Sequence, residues 1–236
     1  MALYSYRKQS RRRLRKVIRT VSFVFILSGL GILLWVLSPI IFFELVYAPR
    51  FTGLLRPIPE TIIEDTLAST LPIILPSERI DYTKARVWFP KATNISLPQT
   101  PTVYTLSIPK VDIFDASVTV GGDDLMKSLI HFAGPLPGQN GNPVILGHST
   151  LLWFYNPRDY KSIFSKLPSL KIGDTIQARV DSITYTFKVY EMSIVYPDDL
   201  SVLRQQNDNS YITLVTCVPP GTYLKRLVVR GRLEKI

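Results

Sequence analysis

From Val21 to Phe43 the chain has no charged residue, and that run limits what the rest can be. As a helix it is long enough to span a bilayer core, which takes about 20 residues. It is apolar on every side, unlike a helix that shares its surface with water. Arg7, Lys8, Arg11, Arg12, Arg13, Arg15, Lys16 and Arg19 precede it, with no acidic residue among them. Such a cluster stays cytoplasmic by the positive-inside rule. The pattern therefore predicts a single-pass anchor in the cell membrane, N-terminus inside and the remainder extracytoplasmic. Trp35 and Tyr47 suit the far interface, and Pro39 falls in the last turns, where a kink is tolerated. Two readings compete with the anchor. A signal peptide cut near Ala48 is disfavoured by the length of the run. A buried core helix is disfavoured by its basic flank and all-round apolarity.

Charge elsewhere is nearly balanced. Net charge is +10, and setting those eight residues aside leaves +2. The basic character belongs to a tail of residues 1–20. Nucleic-acid binding calls for a basic patch on a folded surface, and the sequence offers none, so nucleic acid is excluded as a partner.

Residues 44–102 are proline-rich. Pro49, Pro57, Pro59, Pro72, Pro76, Pro90, Pro98 and Pro101 fall there. Proline at that density blocks long helices and central strands, so a linker or stalk is expected. Within it Glu60–Leu71 is expected as a short helix ended by Pro72, and Arg86–Phe89 as an edge strand. From Val103 the signals are β. Strands are expected over Tyr104–Ile108, Ala116–Val120, Asn142–Gly147, Thr175–Val180, Ser182–Val195, Tyr211–Cys217 and Tyr223–Leu233, with one short helix over Ser162–Leu167. Many short strands with polar turns give a mainly β fold, a small barrel or sandwich over residues 103–236.

The one cysteine, Cys217, ends the strand Tyr211–Cys217 and is followed by Val218-Pro219-Pro220-Gly221, which breaks it. Outside the cytoplasm cysteines usually pair, so a lone one is intermolecular or kept for its reactivity. The plain alternative is a small buried hydrophobe. Two histidines are present. His148 follows a strand end in Leu146-Gly147-His148-Ser149, where a scaffold holds a side chain yet lets it reach out. His131 is read as structural. Alternation puts Leu227, Val229 and Leu233 on one face of the last strand and Arg226, Arg230 and Arg232 on the other. A hairpin between Cys217 and Arg226 makes their strands neighbours, so the guanidinium can face the thiol. No metal site or cofactor is expected. Asp198, Asp199 and Asp208 are read as a solvated loop, with a calcium-like site as the weaker option.

These residues carry a resemblance. Thr213-Leu214-Val215-Thr216-Cys217 resembles the Thr-Leu-x-Thr-Cys signature of the sortases. Leu136-Pro137-Gly138-Gln139-Asn140-Gly141-Asn142, followed by Val144-Ile145-Leu146-Gly147-His148, is similar to their Leu-Pro-Gly stretch and its Gly-His. Ser107–Val111, Leu170–Asp174 and Lys225–Val229 match in family order, so the resemblance covers about residues 103–236. It implies a closed sortase-type β-barrel and a cysteine transpeptidase. Cys217 is then the nucleophile, His148 the general acid and base, and Arg226 the oxyanion or substrate-positioning group. Thr216, Ser149 and Val215 are expected to touch substrate. The implied partners are secreted proteins with a C-terminal Leu-Pro-x-Thr-Gly-like sorting signal, and an amine acceptor on a peptidoglycan precursor or pilin subunit. Trp88-Phe89-Pro90 lacks the preceding Asp of the lid found in some pilin-polymerising sortases, so no lid is assigned. With no second membrane segment expected after Leu233 either, a general sorting role is favoured. An L,D-transpeptidase would set its cysteine in a Ser-His-Gly-Cys context, which is absent. A tethered β-barrel binding module with an inert Cys217 is the alternative from outside enzymes.

Overall fold

The structure, a computed structural model, describes residues 12–51, 81–89, 92, 97 and 103–234. It divides into two units, residues 1–42 and 43–236. The first holds a helix, α1, Arg12–Phe42. It is long and apolar enough to cross a membrane. Pro39 lacks the N–H that would close the turn onto the Trp35 carbonyl, and the Ser38 hydroxyl donates to that oxygen instead, at 2.8 Å. The helix thus passes its proline without leaving a polar group bare in an apolar setting.

The second unit is built on eight strands: β1 Val103–Ile108, β2 Ile113–Val120, β3 Leu129–Ala133, β4 Val144–Leu146, β5 Thr175–Val180, β6 Ile183–Val195, β7 Tyr211–Val218 and β8 Lys225–Leu233. They close a barrel in the order β1-β2-β3-β4-β7-β8-β6-β5, with β5 pairing back to β1. Closure removes the exposed edges of the sheet. Most pairs are antiparallel, while β2–β3 and β4–β7 are parallel. β7 lies between β4 and β8, and all eight of its residues are buried.

Period-two alternation sorts the strands onto two apolar clusters. Ile145, Ile212, Leu214, Leu227 and Val229 join Leu106, Ile113, Phe164 and Phe187 in the main core. Val144, Leu146, Val215, Cys217 and Val228 belong to a second cluster with Leu125, Ile130, Phe132 and Val202. That second layer is completed by Ala85, Trp88 and Phe89. Part of the expected linker is therefore packed with the barrel. Ala85–Trp88 is a 3-10 turn, not the edge strand expected from the sequence, because its residues pack by side chains rather than by joining a ladder. Phe43 and Phe51, in helical turns at the start of this unit, are buried in the main cluster. The expected helix at Glu60–Leu71 lies outside the described residues.

Two further differences from the sequence pattern are local. Residues 162–166 form turns and Leu167 opens a one-turn 3-10 helix, Leu167–Ser169, in place of the expected helix. The Ser162 hydroxyl bonds the Asn156 carbonyl at 3.1 Å and Ser165 accepts from Thr150 N at 2.8 Å, so these side chains compete with a helical ladder. Strand β3 was not expected, since all five of its residues are buried and show no alternation.

His131 on β3 is fully buried and structural in its contacts. Its Nε2 faces the Gly134 carbonyl at 3.0 Å, so Nε2 carries the proton and Nδ1 accepts from the Tyr104 hydroxyl at 3.1 Å. Burial lowers its pKa from 6.5 to about 4. A depressed pKa gives stability that is full above about pH 6.5 and is lost as pH falls toward 4, on the order of 3 kcal/mol. Thermal melts between pH 7 and 4.5 are expected to fall steeply with acid, and His131→Gln is expected to flatten much of that slope. An unchanged slope would show that other groups carry the acid sensitivity.

Candidate active site

Cys217 is the penultimate residue of β7 and pairs across the β7–β8 ladder with Arg226. On the other side, β4 runs parallel, with Leu146 opposite Val215. Gly147 N donates to the Val215 carbonyl at 3.1 Å, which carries the chain alongside β7 one step beyond β4. His148 follows. By alternation His148, Cys217 and Arg226 all lie on the outer face of the barrel wall, away from the main core. Gly147 lies on the inner face, where an added Cβ would come within 2.6 Å of both Phe164 and Leu129 side chains. Only glycine fits this close packing, which brings the histidine loop flush with the strand.

All three residues are shielded from water: Cys217 and Arg226 are 1 % exposed and His148 is 7 % exposed. Trp88, itself fully buried, covers two of them. Its indole meets the His148 imidazole edge-on at 5.7 Å between ring centres. The Arg226 guanidinium lies over the same indole at 4.9 Å. Trp88 therefore packs on both the imidazole and the guanidinium. Its Nε1 donates to the Tyr82 carbonyl at 2.9 Å, and the Tyr82 ring stacks on Tyr223 at 4.1 Å. Residues 81–89 form a strap, fastened by Ala85 N to Asp123 O at 2.8 Å, Leu125 N to Thr83 O at 3.0 Å and an Arg86–Asp123 ion pair. Trp88 was read from the sequence as part of an edge strand. Asp81-Tyr82 is an Asp followed by an aromatic, seven residues before Trp88. Here the Asp81 carboxylate bonds the Thr83 hydroxyl and amide, which lowers its pKa.

Beneath the strap the chemistry is muted. Burial pushes the Cys217 thiol up to about 11, against the pull of Arg226. Burial also lowers the His148 pKa, opposed by the charges of Asp81 and Asp124. The resting pair is thus a neutral thiol beside a neutral imidazole. His148 Nε2 and Arg226 Nε have no hydrogen-bond partner among the described residues. Unpaired buried polar atoms of this kind are costly, and a ligand that supplies partners for them recovers that cost. Arg226 Nη1 donates to the Tyr223 and Lys225 carbonyls at 3.2 and 3.4 Å, which orients the guanidinium.

Of the three expected substrate contacts, Val215 shares the outer face and cluster of Cys217, while the Thr216 and Ser149 hydroxyls turn to backbone. Val215 is fully buried beneath the strap. The Thr216 hydroxyl donates to the Gly147 carbonyl at 2.8 Å, and the Ser149 hydroxyl donates to the Cys217 carbonyl at 2.6 Å. Both hydroxyls are engaged with backbone. In the loop before β7, Asp199 accepts from Ser201 N and Asp208 from the Tyr211 hydroxyl. Among the described residues no group of three metal-ligating side chains comes together.

Fold and site together define a closed β-barrel with a cysteine, a histidine and an arginine gathered on its outer wall. The Sortase domain profile matches residues 106–234, more than half of the chain. The chain belongs to the sortase family. It is 28% identical over 133 residues to sortase D of Bacillus subtilis (strain 168), which covers 54% of this chain and 61% of that protein. It is 27% identical over 168 residues to sortase A of Bacillus anthracis, covering 66% and 76%. Among solved structures it resembles a lid mutant of sortase A from Corynebacterium diphtheriae, with a TM-score of 0.50 and 28% identity, covering 64% of this chain and 77% of that one.

Trp88→Ala is expected to raise the alkylation rate of Cys217 by a small thiol reagent about tenfold or more. The desolvated cation–π contact alone is worth about 1–2 kcal/mol. Equal rates in the two proteins would mean that the strap is not the barrier to the thiol.

Proposed function

We propose that this chain is a membrane-anchored cysteine transpeptidase. Residues 1–20 lie in the cytoplasm, 21–43 cross the membrane, and the barrel works outside, joined through residues 44–102. It cleaves a Leu-Pro-x-Thr-Gly-like sorting signal after its Thr and passes the acyl group to an amine of a peptidoglycan precursor or pilin subunit. The observation that carries this reading is the direct cross-strand pairing of Cys217 with Arg226, with His148 beside them on the same face.

The residues divide the chemistry between them. The Cys217 thiolate attacks the Thr carbonyl carbon, an S–C bond forms, and an electron pair moves onto the oxygen. Arg226 is a fixed cation that donates to that oxyanion or holds the adjacent substrate backbone. As the intermediate collapses, the C–N bond breaks and His148 protonates the departing amine. A thioester keeps the acyl group activated. The incoming amine then attacks, His148 takes its proton, and the thiolate leaves. This route needs no nucleotide. It does need His148 protonated while Cys217 is ionised, which the neutral resting pair is not. Displacement of Trp88 hydrates the thiol, frees the Arg226 charge to act on it, and so favours the reactive ion pair.

The strap supports a second part of the reading: the resting protein is closed, and the substrate competes with Trp88 for the groove. The strap also removes one of the two grounds for favouring a general sorting role, so both acceptor classes stand. The loop after β6 packs Val202 into the same cluster as Cys217, which favours a part for residues 196–209 in choosing the signal. The buried, raised thiol favours one rival, the binding module with an inert cysteine.

The test uses the full chain with a quenched Leu-Pro-x-Thr-Gly-type peptide library and hydroxylamine as the amine. A thioacyl adduct on Cys217 and capture of the Thr acyl group are expected. Cys217→Ala should abolish both. His148→Ala and Arg226→Ala should lower turnover by about 10²- to 10⁴-fold, and Arg226→Lys should not restore it. No adduct with any peptide, even in Trp88→Ala, would favour the inert cysteine.

A further inference from the structure

The backbone ladder between the histidine loop and the cysteine strand gives way to side chains where the reacting residues stand. Its last backbone bond here is Gly147 N to Val215 O, at 3.1 Å. Beyond it the Thr216 hydroxyl reaches back to the Gly147 carbonyl at 2.8 Å. The Ser149 hydroxyl then reaches forward to the Cys217 carbonyl at 2.6 Å. The two bonds run in opposite directions and flank His148 on both sides. A hydroxyl bridge spans a wider gap than a direct N–H to carbonyl bond. Two parallel chains can therefore part at this point and still be held at a fixed spacing.

We propose that Ser149 is a positioning residue that sets the distance between the His148 imidazole and the Cys217 thiol. This rests on the transpeptidase reading of the same site. Thr216 fixes the chain before His148, from the strand side. Ser149 fixes it after His148, onto the nucleophile's own carbonyl. The remaining backbone contact of the histidine is its carbonyl, which accepts from Phe164 N at 3.0 Å. Thr150 N, the next amide, donates to Ser165 Oγ at 2.8 Å. The loop is thus anchored to the Ser162–Leu167 turns behind it, and Ser149 is its tie forward to Cys217. Ser149 is buried, and its proton is already committed to a buried carbonyl acceptor, so its role is to orient rather than to bind substrate. Without it the Cys217 carbonyl loses that donor, and the loop after His148 keeps its ties to the turns behind it but loses the one that joins it to the Cys217 backbone. Displacements of about 1 Å at a reacting pair cost up to about 10²-fold in rate.

The experiment compares Ser149→Ala and Ser149→Thr with the unaltered full chain. Two readouts are taken: turnover of the peptide preferred in the library, and the pH profile of Cys217 alkylation, which needs no peptide. For Ser149→Ala, kcat is expected to fall about 10- to 100-fold with KM within about twofold. The part of the alkylation profile that depends on His148, defined by comparison with His148→Ala, is expected to vanish. Ser149→Thr keeps the hydroxyl and is expected to retain both within about threefold, which separates lost positioning from lost folding. The proposal is overturned if Ser149→Ala keeps the parent kcat and profile, or if Ser149→Thr falls as far as Ser149→Ala. Should the unaltered chain turn over no peptide, the substrate reading fails, and the alkylation profile still decides the role of Ser149.

Discussion

The burial of β7 on both faces and along both edges is the constraint on which the site depends. One face closes the barrel core through Ile212 and Leu214. The other carries Val215 and Cys217 into the outer cluster. β4 and β8 occupy the two edges. A strand held from four sides has little freedom to slip, since a one-residue shift would send Cys217 into the core and Thr216 outward. The same register that packs the barrel therefore sets Arg226 opposite the thiol and brings the histidine loop beside it. Stability and site geometry are one arrangement here.

That arrangement has an electrostatic cost, which the strap both creates and contains. A guanidinium, an imidazole and a thiol are gathered in a site nearly closed to solvent. The guanidinium cannot shed its charge, so the site gives it an aromatic face and two carbonyls. The other two respond by staying neutral. Trp88 serves as the solvent substitute for Arg226, and the same burial keeps the Cys217 thiol protonated.

The parts of this organisation that were legible in the sequence are those with a short-range code. The β7–β8 hairpin followed from a strand broken at Pro219-Pro220 and from alternation in Leu227-Val228-Val229. The same alternation put Arg226 on the face opposite Leu227. The apolar helix followed from the absence of charge between Val21 and Phe43. β3 carried no such code, because a strand buried on both faces has no polar side to reveal its period. The turns at Ser162–Leu167 were hidden by serine hydroxyls that bond backbone in ways composition does not show. The strap was missed for another reason. It is held by contacts to Asp123, Leu125 and Tyr223, distant in sequence, and proline-rich surroundings suggested a linker. Ser149 and Thr216 were noticed for their places beside His148 and Cys217, yet only coordinates reveal that their hydroxyls point at backbone.

Trp88 has a consequence for how affinity for this groove is to be understood. It belongs to the same chain as the His148 and Arg226 side chains it packs on, so its local concentration beside them never falls with dilution. A substrate that has to displace it, as proposed above, would meet a population in which only the open fraction is competent, and its apparent dissociation constant would be its intrinsic value divided by that fraction. A weak measured affinity then describes the tether as much as the groove. Changes at the points that fasten the strap, Asp123 and Leu125, would then tune the response to a substrate without altering Cys217, His148 or Arg226.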